Sequence, residues 1–242
     1  MVDNNIIAID GSSWTGKSTV SKALANFLGY KYINTGAMFR AIALICKMKN
    51  LNFDNHNKII EVTKETKIEF KRIGDETNIY VNNINFEQPL ENPELATMAS
   101  KIAVIPEVRE IFLKIQREIG KEGEIVIEGR DVGTKVFPNA EWKFFLDATL
   151  KKRAERLNKV MKEQSREEKP IEELMERIEE RDSLDRNREV APLRKANDAI
   201  VYDNSDSPSE YQDALILQYY INHTSEIIKN ATLLINHNTE KN

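Results

Sequence analysis

The sequence predicts an α/β protein: a parallel central sheet with flanking helices, carrying an antiparallel β insertion and a charged helical lid. Three observations lead there. Short apolar runs at Ile6 to Ile9, Tyr30 to Ile33, Glu124 to Glu128, Trp142 to Leu146 and Ala199 to Tyr202 are separated by helical patterns, the alternation that builds βαβ units. The first run leads straight into a glycine-bearing loop and a helix. Residues 66 to 86 break the rhythm, with Ile68 and Phe70, then Ile79 and Val81, alternating with polar residues around Gly74-Asp75. That pattern is a hairpin with room for a third strand.

The remaining elements follow in chain order. Beyond Lys17, the residues Val20, Ala23, Leu24, Phe27 and Leu28 recur at helical spacing, and Gly29 is placed to end the helix. Asn34 to Arg40 opens a second helix directly after a strand. Asn92-Pro93 starts another, and Pro106 restarts it for Val108 to Ile119. From Lys151 to Arg188, Lys, Arg and Glu dominate, which predicts exposed helices, and Lys162 to Pro170 holds no apolar residue and reads as a mobile flap. Ser207-Pro208-Ser209-Glu210 is a capping box that opens a last helix, and the chain frays over 231–242.

Composition narrows the class. A chain of 242 residues with a net charge of -4 suits one large domain, or a core with an insertion, and does not suit a nucleic-acid binder. The one cysteine, Cys46, lies in an apolar segment, which fits a core position and a reducing, cytoplasmic setting. His56, His223 and His237 are too scattered for a metal cage, and no apolar run reaches the roughly 20 residues that a membrane helix needs.

The loop after the first strand reads Gly11-Ser12-Ser13-Trp14-Thr15-Gly16-Lys17-Ser18-Thr19, the pattern G-x-x-x-x-G-K-[ST]. Its backbone amides predict a phosphate cradle, with Lys17 reaching the β- and γ-phosphates and the Ser18 hydroxyl on Mg²⁺. Glycines at 11 and 16 let the backbone approach those phosphates without β-carbons in the way. Four polar clusters surround it in sequence terms: Arg40 a turn inside its helix; Arg130 and Asp131 after the strand Glu124 to Glu128; Ser100 and Arg109 flanking Pro106; and Arg181, Asp185 and Arg188 on one helix face. Arginines after several strands of a parallel sheet converge on one crevice, and their bidentate forks suit phosphoryl transfer. Lys151, Lys152, Arg153 and Arg156 are expected on a solvated face, with a flap arginine reaching the moving phosphoryl as the alternative.

These residues resemble the bacterial-type cytidylate kinase family of P-loop kinases over nearly the whole chain. The matching stretches are I-D-G-x-x-x-x-G-K-S-T at 9 to 19, T-G-A-M-F-R at 35 to 40, S-K-I-A at 100 to 103 with P-x-V-R-E at 106 to 110, G-R-D-V-G-T-x-V-F-P at 129 to 138, F-L-D-A at 145 to 148 and R-D-x-x-D-R-N-R-x-V-A-P-L at 181 to 193. The resemblance implies an ATP- and Mg²⁺-dependent enzyme acting on CMP and dCMP, a cytoplasmic monomer. It implies that Ser100, Arg109 and Asp131 read the base and that Arg181 and Asp185 hold the pentose. Arg40, Arg130 and Arg188 would grip the acceptor phosphate, beside Thr35, and with Lys17 form the catalytic set. It divides the chain into a kinase core (1–61, 99–149 and 171–230), an inserted nucleotide-monophosphate subdomain (62–98) and a lid (150–170) carrying Arg153 and Arg156. Asp10 and Asp147 are both open as outer partners of Mg²⁺, and Trp14 either covers the adenine or lines the loop's outer rim. A GTPase-type switch would carry N-K-x-D, which this sequence lacks; kinases for UMP, shikimate or a coenzyme precursor are nearer rivals.

Overall fold

The computed structural model describes residues 3–87, 90, 93–164, 166 and 168–205. In chain order the elements are β1 (Asp3–Gly11), α1 (Lys17–Leu28), β2 (Lys31–Asn34), α2 (Thr35–Met48), α3 (His56–Glu65), β3 (Ile68–Ile73), β4 (Glu76–Val81), β5 (Ile84–Asn85), α4 (Pro93–Ile102), α5 (Pro106–Gly120), β6 (Ile125–Glu128), β7 (Ala140–Asp147), α6 (Leu150–Glu163), α7 (Ile171–Asn187) and β8 (Ile200–Asp203). A widened helical turn, Val132–Val136, lies between β6 and β7. The last predicted helix and the frayed tail lie outside the described residues.

The main sheet has the order β2-β6-β1-β7-β8, and every neighbouring pair is parallel. Strands β1 and β6 sit inside it, so Ile6 to Ile9 and Ile125 to Glu128 are buried on both faces, which is why their sequences are continuous rather than alternating runs. All five strands point the same way, so their C-terminal ends share one edge. The phosphate loop, Asn34, Arg130 and Asp203 all lie along it.

Local sequence sets the helix ends. Gly16 (φ 93) precedes α1, and Gly29 (φ 75) closes it while Tyr30 N–H reaches back to the Ala25 carbonyl at 2.8 Å. Asn34 caps α2 by accepting the Ala37 N–H at 3.0 Å. Pro106 occupies the first turn of α5.

The predicted hairpin is β3 and β4, registered Ile68 against Val81 and Phe70 against Ile79, with the two-residue β5 as the third strand. It has no separate core. Met38 and Ile42 of α2, Ile59 of α3, Ile79 of β4, Leu95 of α4 and Phe112 of α5 belong to one apolar cluster. The sequence boundaries at 62 and 98 fall inside α3 and α4, whose buried faces join that cluster. The small sheet also reaches the outer edge of β2: Arg72 Nη1 donates to the Tyr30 carbonyl at 2.8 Å, and Thr77 Oγ1 accepts the Tyr32 N–H at 3.1 Å. Helices α6 and α7 form a hairpin around Ala154, Leu157, Met161, Leu174 and Ile178. Among the described residues, no helix is long and apolar enough to cross a membrane.

One glycine has a reason other than the one the sequence suggests. A β-carbon on Gly11 (φ +147) would stand 2.0 Å from the Leu146 carbonyl oxygen of β7. The neighbour that forbids it is protein backbone, not phosphate. Gly11→Ala is therefore expected to cost about 3 kcal/mol or more of unfolding free energy, read as a lower urea midpoint. An unchanged midpoint would mean that β7 yields without penalty.

Candidate active site

The phosphate loop is built so that its carbonyl oxygens are spoken for. Lys17 Nζ donates to the Ser12 carbonyl, Arg153 Nη1 to Ser13 O at 3.3 Å, Arg156 Nη1 to Trp14 O at 3.4 Å and Asn204 Nδ2 to Thr15 O at 2.7 Å. An anion is repelled by carbonyl dipoles and attracted by amides, so tying the carbonyls into the protein suits an anion cradle. Trp14 holds a left-handed backbone (φ 62), and its side chain packs against the α6–α7 cluster.

Arg153 corrects the expectation of a solvated face. Helix α6 buries Arg153, Ala154, Leu157 and Met161 on one side, and Arg153, only 6% exposed, lies on that side with its guanidinium paired to Asp182. Arg156 is half-buried, held by Trp14 O and Asn204 O. Lys151 and Lys152 are exposed.

Beside the loop, positive charge is concentrated and only partly matched. Burial pushes the Lys17 ammonium down to about 7, and Arg130 adds repulsion. Burial also lowers Arg181, to about 10, with Arg130 the next cause and Arg40 a further one. Arg40 is lowered by burial too, against the pull of Tyr32 and Glu128. The Nε atoms of Arg40, Arg109 and Arg181 are buried without a hydrogen-bond partner in the protein. Orphaned guanidinium donors beside an amide-lined loop are what a polyanion site requires.

The predicted clusters meet in one chain of ion pairs. Arg109 Nη2 lies 2.7 Å from Asp131 Oδ2, and Arg188 Nη2 lies 3.1 Å from Asp131 Oδ1. Arg188 Nη1 continues to Asp185 Oδ1 at 3.3 Å, and Arg130 Nε to Asp185 Oδ2 at 2.9 Å. Three elements are thereby joined: α5, the loop after β6, and α7 with its C-cap. Burial lowers Arg188 to about 10, and Arg109 adds to the effect, whereas Asp185 is held below the usual carboxylate range by its arginines against burial. Behind Asp131 is a cavity of about 40 Å³ lined by Phe39, Arg109, Phe112, Gln116, Lys135 and Val190, among others. The Phe39 and Phe112 rings meet edge to face at 4.7 Å, and the Arg109 guanidinium stands 5.5 Å from the Phe39 centroid.

Two predicted residues point inward to the protein. Ser100 gives its hydroxyl to the Ala96 carbonyl at 3.1 Å and does not line that cavity, and Thr35 gives its own to the Glu128 carbonyl at 2.8 Å. The two carboxylates left open as Mg²⁺ partners are also engaged. Asp10 accepts the N–H groups of Val132 and Gly133 at 2.9 and 2.7 Å, with burial pushing its carboxyl up to about 7. Asp147 is exposed and accepts the Ala148 N–H.

Sequence reasoning assigned no role to Glu128, Tyr32, Asp182 or Asn204. Glu128 ends β6, is buried, and accepts the Tyr32 hydroxyl, which the Ser18 hydroxyl also bonds. A hydroxyl and a carboxylate on either side of a phenol fit a hard cation that draws its other ligands from phosphate and water. Among the described residues no three His, Cys, Asp or Glu side chains converge, so an all-protein cage is not offered. The missed signal for Glu128 was its place: the last residue of the apolar run, directly before Gly129-Arg130-Asp131.

Comparison with known proteins places the chain. Residues 7–220 match the family described as cytidylate kinase. A cytidylate kinase of Caldicellulosiruptor bescii is 38% identical over 224 residues, covering 93% of this chain and 97% of that protein. One of Caldanaerobacter subterraneus is 40% identical over 204 residues, 84% of this chain and 89% of its relative. A bifunctional pantoate ligase/cytidylate kinase of Prochlorococcus marinus strain AS9601 is 41% identical over 216 residues, but the matched region is 42% of that longer protein. The chain thus spans about two fifths of its bifunctional relatives and nearly all of the single-function ones. With the phosphate loop, the arginine cluster and these matches in agreement, the chain belongs to the cytidylate kinase family.

Proposed function

We propose that the protein transfers the γ-phosphoryl group of ATP to the 5′-phosphate of CMP or dCMP, giving ADP and the pyrimidine diphosphate. The observation that carries this reading is the convergence of buried Lys17 with half-buried Arg40, Arg130 and Arg181, like charges beside an amide-lined loop. An oxygen of the acceptor phosphate attacks the γ-phosphorus in line, and the bond to the β–γ bridging oxygen breaks, leaving its electron pair on ADP. The acceptor oxygen is already anionic, so no general base is needed. Charge spreads over the three equatorial oxygens as the group moves, and fixed cations lower its energy without reorganising.

Within this reading Lys17 leaves the Ser12 carbonyl for the β- and γ-phosphates, and the amides of the loop wrap the triphosphate. Arg40, Arg130 and Arg188 hold the acceptor phosphate, with Thr35 near it, and Arg181 and Asp185 hold the pentose. Cytosine presents an amino donor beside two acceptors, which a carboxylate with flanking arginine donors complements. Asp131 and Arg109 supply that set, with Ser100 completing it once its hydroxyl turns from Ala96. The Ser18 hydroxyl would hold Mg²⁺, with Glu128 as the nearby carboxylate, and the ion would supply positive charge against the phosphates. The segment 62–98 serves the acceptor nucleotide, and 150–170 serves as the lid. A cytoplasmic monomer without nucleic-acid or membrane partners is in keeping with this chemistry.

A coupled assay with ATP and Mg²⁺ against CMP, dCMP, UMP, AMP and shikimate tests the reading. CMP and dCMP are expected to dominate, and a preference for any other acceptor overturns it. Lys17→Ala should lower kcat on the order of a thousandfold while leaving the far-ultraviolet circular dichroism unchanged. Asp131→Ala should raise the KM for CMP about a hundredfold, because Arg109 and Arg188 lose their shared partner, and should change ATP binding far less.

Lys17 also sets a pH dependence. Its value of about 7 belongs to the free protein, and an adjacent triphosphate favours the charged form and raises it. ATP affinity is therefore full below pH 7 and falls as the pH rises above it, while binding takes up a proton. Calorimetry at pH 8 in two buffers of unlike ionisation heat should return an uptake approaching about one proton per ATP. Zero uptake would mean that Lys17 is already charged before binding.

A further inference from the structure

Helix α7 faces two ways at neighbouring positions. Arg181, Asp185 and, at its C-cap, Arg188 turn toward the cation cluster and the ion-pair chain. Asp182 turns toward the phosphate loop instead. It is 0% exposed; its Oδ1 accepts the Ser13 N–H at 3.1 Å and the Ser13 hydroxyl at 2.7 Å, and its Oδ2 pairs with Arg153. Arg153 in turn donates to the Ser13 carbonyl at 3.3 Å and, through Nε, to the Ala148 carbonyl at 3.0 Å. One ion pair, drawn from two helices, therefore grips a single loop residue, Ser13, at both its N–H and its C=O, and so fixes the two peptide groups that flank it.

This arrangement is more than charge matching. Burial works against the Asp182 carboxylate, yet the two Ser13 donors and Arg153 hold it below its usual range, so it is ionised at neutral pH. An apolar residue would fill the space at less electrostatic expense. What an apolar residue cannot supply is a fixed direction for the two peptide groups flanking Ser13, and with it the orientation of the amides that follow. In-line transfer tolerates little error, since a shift of about 1 Å in the reacting groups costs on the order of a hundredfold in rate.

We propose that Asp182 is a positioning residue: through Ser13 and Arg153 it sets the shape of the phosphate loop and, being adjacent to Arg181 on α7, holds that loop in register with the cations for the acceptor phosphate. The inference rests on the reading of the loop as the ATP site. It gives Arg153 a task at rest, bracing the loop from behind.

Wild-type protein is assayed first for ATP binding and CMP-dependent turnover. If it has neither, the proposed function fails, and this inference with it. Given an active wild type, Asp182→Asn keeps the volume and an acceptor oxygen but loses the charge opposite Arg153. It is expected to raise the KM for ATP about tenfold and lower kcat by a tenfold to hundredfold factor, while the Kd for CMP alone stays within about twofold. Ser13→Ala should lower kcat by roughly a few-fold, and adding it to Asp182→Asn should change little further, because both act through one contact. A folded Asp182→Asn with unaltered ATP parameters overturns the proposal, as does an equal loss of CMP binding, which would mark a merely structural role. Should Asp182→Asn fail to fold, Arg153→Lys decides: it keeps the charge and loses the fork, so a raised KM for ATP with CMP binding intact supports the proposal and wild-type ATP parameters reject it.

Discussion

Buried positive charge that the protein itself only half neutralises is the constraint around which the rest is arranged. Each guanidinium taken from water has a large desolvation cost, recovered only where a carboxylate or a polar acceptor meets it. The chain does this in series: Arg109 shares Asp131 with Arg188, which shares Asp185 with Arg130. The series ends where Lys17, Arg40 and Arg181 stand, each lowered by burial and by the neighbouring Arg130. The low dielectric that makes this surplus costly also strengthens its pull on phosphate.

The sheet makes that concentration possible. Because β2, β6, β1, β7 and β8 are all parallel, the loop after β1, the start of α2 and the Arg130-Asp131 pair after β6 emerge at one edge. Helix α7 then lies across two halves of the site, meeting the loop through Asp182 and the ion-pair chain through Asp185. A single rigid element that touches both halves restricts their relative placement without any direct bond between them. The widened turn after Asp131 is fixed in the same spirit, its first two amides held by the buried Asp10 carboxylate.

Much of this was legible in the sequence, for physical reasons that also explain what was not. Buried parallel strands need continuous apolar runs, so β1 and β6 announced themselves, and a phosphate loop needs a spacing few other loops have. Arg181, Asp185 and Arg188 were readable because helical periodicity puts them on one side. The same periodicity hid Asp182, one residue off that side and facing a different partner. Arg153 was hidden by its company: in a stretch dominated by Lys, Arg and Glu, nothing local distinguishes the one cation that meets a buried carboxylate from those that meet water. Asn204 and Tyr32 act through partners about 189 and 96 positions away, separations that no local pattern encodes. The small sheet reads as an insertion because its alternation is local, and its inward residues share the apolar cluster of α2, α4 and α5.

The contacts from Arg72 and Thr77 to the main chain of β2 have an implication beyond packing. Strand β2 is terminal in the main sheet, and an outermost strand with vacant peptide groups is a template on which a second polypeptide can add itself. Here the outward Tyr30 carbonyl and Tyr32 N–H are occupied by side chains of the inserted hairpin. The hairpin thus works as a selvedge, binding that border of the fabric against fibril-type growth, and shortening it would open an aggregation hazard.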